Sequence, residues 1–421
     1  MSGGRGERAG RRVVITGMAG LSPLGNDWPT VREGLRSGRS GVTRVDAFDQ
    51  VEGLRTRLGA PVEFSVPDHW PRRKRRGMGR VAQLATRATE LALEDAGLAD
   101  DPALRDGRAG LAYGSTSGSP PDMVHYARAF GVERSTKSAL PLHYTRLMSH
   151  TTVANVAQFF GIRGRVISSC SACTSGSQAI GFGYEAVRFG QQEIMLCGGA
   201  EELHEIEVAV FDLLFATSTR NDEPGTTPRP FDADRDGLVV GEGAGTLVLE
   251  SLEHASARNA TILAEVEGYG TNCDGYDLVR PDETGMRGAM ERALADAGIE
   301  AEEVGFACAH ATATELGDLA ESRATHAVFG GRLPVFSPKG HLGHTLGACG
   351  ALEAWITVGM LREGWVAPTL HLREVDPRCA DLEFVMGAPR RLQVERAVSQ
   401  NFAFGGVNTS LVFRRANAGG R

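Results

Sequence analysis

Cys173 lies in the run Ser168-Ser-Cys-Ser-Ala-Cys-Thr-Ser-Gly-Ser-Gln-Ala-Ile-Gly, where a short apolar strand passes through small residues into a helix. The unpaired amides and the dipole of a helix's first turn favour a thiolate, so this placement makes an ordinary thiol a nucleophile candidate. The dipole contributes roughly 0.3–1 kcal/mol, up to ~2 when partly buried. From a free value near 8.5, that is about one pKa unit. Most of the thiol then stays protonated at pH 7, and another group has to take the proton. Two later motifs supply imidazoles: Ala309-His-Ala-Thr-Ala-Thr with His310, and Lys339-Gly-His-Leu-Gly-His with His344.

These residues need a scaffold of alternating strands and helices. In the first part of the chain, strands are predicted at 12–16, 111–113, 166–168, 193–197 and 247–250, and helices at 30–37, 81–95, 151–160 and 175–189. The plan then restarts, with strands at 262–266, 304–309 and 334–336, helices at 288–297, 318–329 and 345–361, and a turn at 339–344. This alternation points to α/β layering. Two echoes support an internal duplication. Gly243-Ala-Gly-Thr-Leu-Val-Leu matches Gly406-Val-Asn-Thr-Ser-Leu-Val-Phe, and the strand–turn–helix around Cys173 has a counterpart around His344. The chain divides accordingly into residues 11–258, carrying the cysteine, and 259–416, carrying the histidines. No Pro/Ser-rich linker separates them, so the halves are expected to share one core.

The 421 residues are 42% hydrophobic and include 54 glycines, which fits a globular protein rich in tight turns. No apolar run approaches the ~18 residues of a membrane span, and the polar opening Met1 to Arg12 does not read as a secretory signal. A net charge of −7 argues against a nucleic-acid binder. The seven cysteines show no repeated metal-ligand spacing, although Cys170 and Cys173 form a C-x-x-C. Reduced, cytoplasmic thiols are the expectation, with no metal. One strongly basic run, Arg72-Arg73-Lys74-Arg75-Arg76, departs from the acidic background. It reads either as a solvated helix entrance or as a dock for an acidic partner.

Several motifs now stand in order: Ala172-Cys-Thr-Ser-Gly; Ser218-Thr-Arg-Asn-Asp with Pro230-Phe-Asp-Ala-Asp-Arg-Asp-Gly; Ala309-His-Ala-Thr-Ala-Thr; Ser337-Pro-Lys-Gly-His-Leu-Gly-His; and Asn401-Phe-Ala-Phe-Gly-Gly-Val-Asn. On these, the chain resembles a β-ketoacyl-[acyl carrier protein] synthase (a KAS I/II-like ketosynthase) of the thiolase superfamily. The likeness runs from Val13-Val-Ile-Thr-Gly-Met to Leu411-Val-Phe. It implies a duplicated, five-layered αβαβα fold and a decarboxylative Claisen condensation of malonyl-carrier protein with a cysteine-bound acyl chain. No cofactor is implied beyond the phosphopantetheine that acyl carrier protein brings. The implied assembly is a homodimer, or a heterodimer with a chain-length-factor-like homologue.

The resemblance also assigns roles. Cys173 is the nucleophile, and the backbone N–H groups of Cys173 and Phe404 form the oxyanion hole. His310 and His344 stabilise the enolate left by decarboxylation, and Lys339, paired with Glu353, orients them. Thr312 and Thr314, at i and i+2, point the same way in an extended segment and suit the amides of a pantetheine arm. Asp274 belongs to a gating loop, and Phe402, Gly405 and Gly406 complete the substrate side. Arg72 to Arg76 and Arg220 match positions that dock acyl carrier protein. His69, His125, His143, His204, His371 and His341 read as ordinary polar residues. Ser117 and residues 148–152 fall near the acyl tunnel or the subunit interface, without fixing chain length.

The chain also departs from the commoner family pattern. Ala311 follows the first histidine, where many relatives carry glycine; Asn-Phe-Ala-Phe replaces Ser-Phe-Gly-Phe; and Asp277 stands where some fatty-acid enzymes have histidine. These features resemble ketosynthases of polyene-making, highly reducing type II polyketide systems more than housekeeping KAS II enzymes of fatty-acid elongation. Two other readings compete. A chain-length factor would lack the nucleophile, and a thiolase or Cys-His hydrolase would arrange its histidines differently or need no carrier dock.

Overall fold

Val13–Leu21 is buried at every one of its nine positions, as a strand covered on both faces must be. It sits near the middle of an eleven-stranded mixed sheet, in a computed structural model that describes residues 10–416. The first nine residues of the polar opening lie outside the described residues.

Outward from Val13–Leu21 on one side run Gly243–Ser251, Ile194–Glu201, Ala109–Gly114 and Val166–Ser169. The other half starts at Ala264–Cys273 and continues through Val407–Arg415, Arg396–Phe402, Phe306–Cys308 and Pro334–Phe336, with the short Glu383–Phe384 at the far edge. Numbered by chain position within each half, both read 1-5-4-2-3. The directions also agree: antiparallel for 1–5 and 5–4, parallel for 4–2 and 2–3. The echo segments beginning at Gly243 and Gly406 occupy the same place in the two halves. Among the described residues, the two half-sheets are joined into one by the pairing of Val13–Ile15 with Ala264–Val266.

Helices complete the layers. Arg80–Asp95 covers the outside of the first half-sheet, and Glu283–Ala297 with Glu315–Phe329 covers the outside of the second. Ser175–Arg188 and Cys349–Glu363 lie between the half-sheets, and Cys349–Glu363 touches both. Its residues from Cys349 to Leu361 are all buried, which explains its lack of an amphipathic stripe. The two central helices meet backbone to backbone. A Cβ on Gly176 would lie 2.8 Å from the Ala351 nitrogen, and one on Gly350 only 2.5 Å from the Ser177 nitrogen.

The expected elements are present with shifted ends. The 12–16 strand continues to Leu21, the 262–266 strand becomes Ala264–Cys273, and the 345–361 helix starts at Cys349 after a short 3-10 turn over Leu346–Ala348. The 339–344 turn contains a single helical turn, Lys339–Leu342. Helices at Pro120–Gly131, Pro141–Leu147 and Glu205–Leu213 were not expected. Their apolar residues face outward as often as inward, which blurs the helical period.

Candidate active site

The strand Val166–Ser169 ends in a tight turn that delivers Cys173 just before the helix Ser175–Arg188. Ala172 takes a left-handed φ of 47°, and the Thr174 and Ser175 amides donate back to Ser171 and Ala172. The Cys173 side chain is buried, and its carbonyl accepts the Cys349 thiol at 3.1 Å. From the other half, His344 Nε2 reaches Cys173 Sγ at 3.0 Å. The His310 ring stands edge-on to His344, centres 5.1 Å apart and planes at 86°. One sulfur and two imidazoles from separate halves therefore share one pocket.

Behind the imidazoles lies a buried polar square. Lys339 Nζ donates to Glu353 Oε1 and lies 3.3 Å from His310 Nδ1. Asn401 Nδ2 donates to Glu353 Oε2 at 2.6 Å and also lies 3.3 Å from His310 Nδ1. Two donors on Nδ1 place the imidazole proton on Nε2, facing the cavity. The backbone before that ring is pinned by Glu321, which accepts from the amides of His310 at 2.7 Å and Ala311 at 2.6 Å. Asp318, one turn earlier on the same helix, accepts from Ala313 N at 3.1 Å. Ala311 and Ala313 both have positive φ, 22° and 65°, so Ala311 occupies a backbone conformation suited to glycine.

The electrostatics correct one expectation. Burial outweighs the helix N-terminus and pushes the Cys173 thiol up to about 12; the Lys339 charge opposes this, while Glu201 and Glu353 add to it. Burial, and then the Lys339 charge, hold His310 and His344 well below the usual imidazole range. The resting pair is a neutral thiol beside a neutral imidazole. His344 Nδ1 is buried without a hydrogen-bond partner among the described residues, so neither of its tautomers is locked, in contrast to His310.

A cavity of about 450 Å³ leads from the surface to Cys173, His310 and His344. Thr312 and Thr314 line it with their hydroxyls 2.9 Å apart, as their i, i+2 spacing anticipates. Asp274, Phe402 and Phe404 line it too. The Phe402 ring is 6.2 Å from His310, and Phe404 packs 5.5 Å from Phe211. Two loops meet at its wall: Asp274 N donates to Gly406 O at 2.9 Å, and Gly405 N donates to Leu278 O at 2.7 Å. Gly405 and Gly406 have φ of 88° and 71°. Asp277 caps its own loop by accepting from Val279 N and Arg280 N.

The basic residues separate. Arg220 sits by the rim, its side chain on Asp234 O at 2.9 Å and beside the cavity-lining Asp236. Residues Arg72 to Arg76 do not line the cavity; Arg72–Arg75 make one helical turn against the helix Thr151–Phe160, with Lys74 over the Phe159 ring. Arg280 lines the mouth and Arg55 stacks on Phe215 there, two cations that the sequence reading did not single out. His341 is buried, with its ring nitrogens on the carbonyls of Arg39 and Pro368, as a structural histidine would be. Metal-capable atoms do gather here, in Cys173–His310–His344 and in His310–Cys349–Glu353. The Lys339 ammonium touches members of the second group and lies behind the first, so a cation would meet a positive charge.

Glu321 and Glu201 are functional neighbours that the motifs did not reveal, and Asn401 stood in a motif only as a departure, without its link to Glu353 and His310. Glu321 and Asp318 were legible only as acids three apart on an otherwise buried helix face.

Comparison with known proteins agrees with this geometry. Residues 10–255 match the family described as Beta-ketoacyl synthase, N-terminal domain, and residues 263–373 match its C-terminal domain. A β-ketoacyl synthase from Burkholderia phymatum superposes with a TM-score of 0.95 at 52% identity, covering 97% of this chain and 100% of that one. The ishigamide ketosynthase/chain length factor superposes at 0.90 with 33% identity over 97% of this chain and 100% of its own. The 3-oxoacyl-[acyl-carrier-protein] synthase 1 of Haemophilus influenzae is 35% identical over 97% of this chain and 100% of that protein. The fold is the thiolase-like α/β arrangement of condensing enzymes. The chain belongs to the β-ketoacyl synthase family, and it is an acyltransferase of that condensing type.

Proposed function

We propose that this enzyme works by a ping-pong route in which acyl carrier protein first loads Cys173 and malonyl-carrier protein then extends the chain. The carrying observation is the 3.0 Å approach of His344 Nε2 to Cys173 Sγ, with His310 beside them in one cavity. As Cys173 attacks the acyl thioester, His344 accepts the thiol proton and returns it to the departing pantetheine sulfur. Backbone N–H groups of Cys173 and Phe404 receive the oxyanion. Malonyl-carrier protein then binds, and the bond to its carboxylate breaks. CO₂ leaves, and the electron pair becomes an enolate whose oxygen is held by Nε2–H of His310 and of His344 in its other tautomer. The enolate carbon attacks the acyl carbonyl, and Cys173 sulfur departs as a thiolate that takes up a proton from solvent to restore the resting thiol. Lys339 and Glu353 position His310 throughout. No metal or redox cofactor enters, and the pantetheine arrives on the partner, along Thr312 and Thr314.

The pathway we favour is polyene-type polyketide extension, supported by the Asn401 and Ala311 departures and the ketosynthase/chain length factor likeness. Housekeeping fatty-acid elongation is the second reading, supported by the likeness to a 3-oxoacyl-[acyl-carrier-protein] synthase. A second subunit, whether another copy or a chain-length-factor-like homologue, is supported by the edge strand Val166–Ser169. That edge is unpaired among the described residues, with Val166, Phe130, Val132, Leu140 and Tyr144 exposed. Seven free cysteines suit a reducing cytoplasm. Among the described residues no helix is long and apolar enough to cross a membrane.

Incubation with acyl-carrier protein, followed by intact mass and peptide mapping, tests the reading. The acyl mass is expected on the peptide carrying Cys173, and the same adduct on Cys173→Ala would overturn it.

A further inference from the structure

Arg235, in the motif Pro230-Phe-Asp-Ala-Asp-Arg-Asp-Gly, is a cation buried at the cavity wall. Its side chain is 2% exposed and sits between two aspartates. Asp376 Oδ2 accepts from Nη1 at 2.7 Å, and Asp318 Oδ2 lies 3.7 Å from Nε. Asp232 O takes a second bond from Nη1, at 2.8 Å. The rest of the fork crosses to the start of the helix Glu315–Phe329, where Nε donates to Thr314 O at 3.3 Å and Nη2 to Glu315 O at 3.1 Å. With its charge offset and its donors committed to the protein, this guanidinium is built to hold structure rather than to bind an anionic substrate.

Thr314, whose carbonyl it holds, stands at the N-cap of that helix. A threonine side chain there ordinarily accepts from an amide of the first turn, and here it does not. Its hydroxyl instead meets that of Thr312 at 2.9 Å in the cavity lining. Asp318 steadies the loop in its place, accepting from Ala313 N at 3.1 Å and from Phe231 N at 2.7 Å, which ties the threonines to the arginine's own motif. Gly317 keeps the space clear. A Cβ there would lie 2.5 Å from Thr314 Oγ1 and 3.4 Å from Thr312 Oγ1, so glycine serves the hydroxyls although it is a poor helix former.

We propose that Arg235 is a positioning residue for recognition of the pantetheine arm. It fixes the carbonyls of Thr314 and Glu315 so that the Thr312–Thr314 hydroxyl pair keeps its aim into the cavity, and Gly317 supplies the room that pair needs. The proposal rests on the reading of these threonines as hydrogen-bonding partners of the arm. A backbone free to turn at Thr314 would let its hydroxyl revert to the capping bond, and the arm's amides would lose a partner. Lysine is no substitute, because one ammonium on a flexible stem cannot span two carbonyls and two carboxylates in a fixed plane.

The test uses the full chain, with its partner subunit if one is required, and two acyl donors that differ only in the thiol. Octanoyl-pantetheine carries both amides of the arm, and the octanoyl thioester of ethanethiol carries neither. Formation of acyl-Cys173 is timed by intact mass over a range of donor concentrations. Arg235→Lys retains the charge between the aspartates and Gly317→Ala favours the helix, so both variants should fold, which thermal unfolding checks. Each should raise KM for octanoyl-pantetheine about tenfold, as one lost hydrogen bond can, while the saturating rate stays within about twofold. The second-order constant for the amide-free donor should hardly move.

A loss shared equally by the two donors would mark a merely structural role and overturn the proposal, as would an unchanged KM in either variant. Thr312→Val combined with Thr314→Val separates it from the reading beneath it. If that double variant raises KM for octanoyl-pantetheine while Arg235→Lys and Gly317→Ala do not, only the role of Arg235 fails. If the double variant leaves KM unchanged, the threonine reading fails and takes the proposal with it.

Discussion

His344 Nε2 lies 3.0 Å from Cys173 Sγ in a pocket where burial keeps the thiol protonated and the imidazole neutral. Alkylation of Cys173 by iodoacetamide should therefore accelerate about tenfold per pH unit from 7 to 9, since the thiolate fraction rises that way below a raised pKa. Mass-resolved labelling measures it, and a plateau below pH 7 would reveal a preformed thiolate–imidazolium pair. Replacing His344 with alanine should slow acyl loading by roughly 10²–10⁴, the usual contribution of a positioned base.

His310 touches the sulfur less directly, and its proton faces the cavity. His310→Ala should spare acyl loading within a few fold while cutting release of CO₂ from malonyl-carrier protein by on the order of 10²–10³, as expected for a lost oxyanion donor. Labelled malonate separates the two half-reactions. Equal losses in both would contradict the division of labour.

Lys339 and Glu353 form a buried ion pair at 1% and 2% side-chain exposure. Lys339→Met strands the carboxylate, which should cost about 3–5 kcal/mol in urea unfolding, and Lys339→Met with Glu353→Leu should recover much of it. The single variant also removes a charge that holds His310 down. The acidic limb of decarboxylation should then move to higher pH, because His310 becomes protonated sooner as pH falls.

Gly405 and Gly406 offer an internal control. Both have positive φ, but a Cβ on Gly405 meets nothing within 4 Å, whereas one on Gly406 would lie 2.2 Å from Asp274 Oδ1. Gly405→Ala and Gly406→Ala share a backbone strain of about 1 kcal/mol. Only Gly406→Ala should also push the two loops apart and lower kcat/KM for carrier substrates, by at least tenfold more than its neighbour.

For carrier docking, Arg220→Glu is expected to raise KM for acyl-carrier protein more than reversal of Arg72 to Arg76, because only Arg220 stands by the rim. Both effects should shrink with added salt, and turnover of a short thioester mimic should hardly change.

Much of this was legible in the chain. Cys173, His310, His344 and Lys339 sit in short motifs, so their convergence was expected once the halves were matched, whereas the pairing of Lys339 with Glu353 came only from the family resemblance. The thiol's pKa was not legible, since a helix terminus announces itself in sequence while desolvation depends on everything packed around it. The partners of Asn401 and the role of Glu321 were equally hidden. An amide beside a phenylalanine motif, or an acid within a helix, shows its purpose only when the fold brings His310 against it. The helices around residues 120–147 and 205–213 were missed because their apolar residues also face outward.

The helix Cys349–Glu363 is gripped by both half-sheets, so hinge motion between the two repeats is not available to this enzyme. The loops around Asp274 and Gly406, which meet at the cavity wall, stand outside that grip. It also follows that neither repeat would be soluble as a severed fragment. Each would expose the buried apolar surface that now packs around this helix.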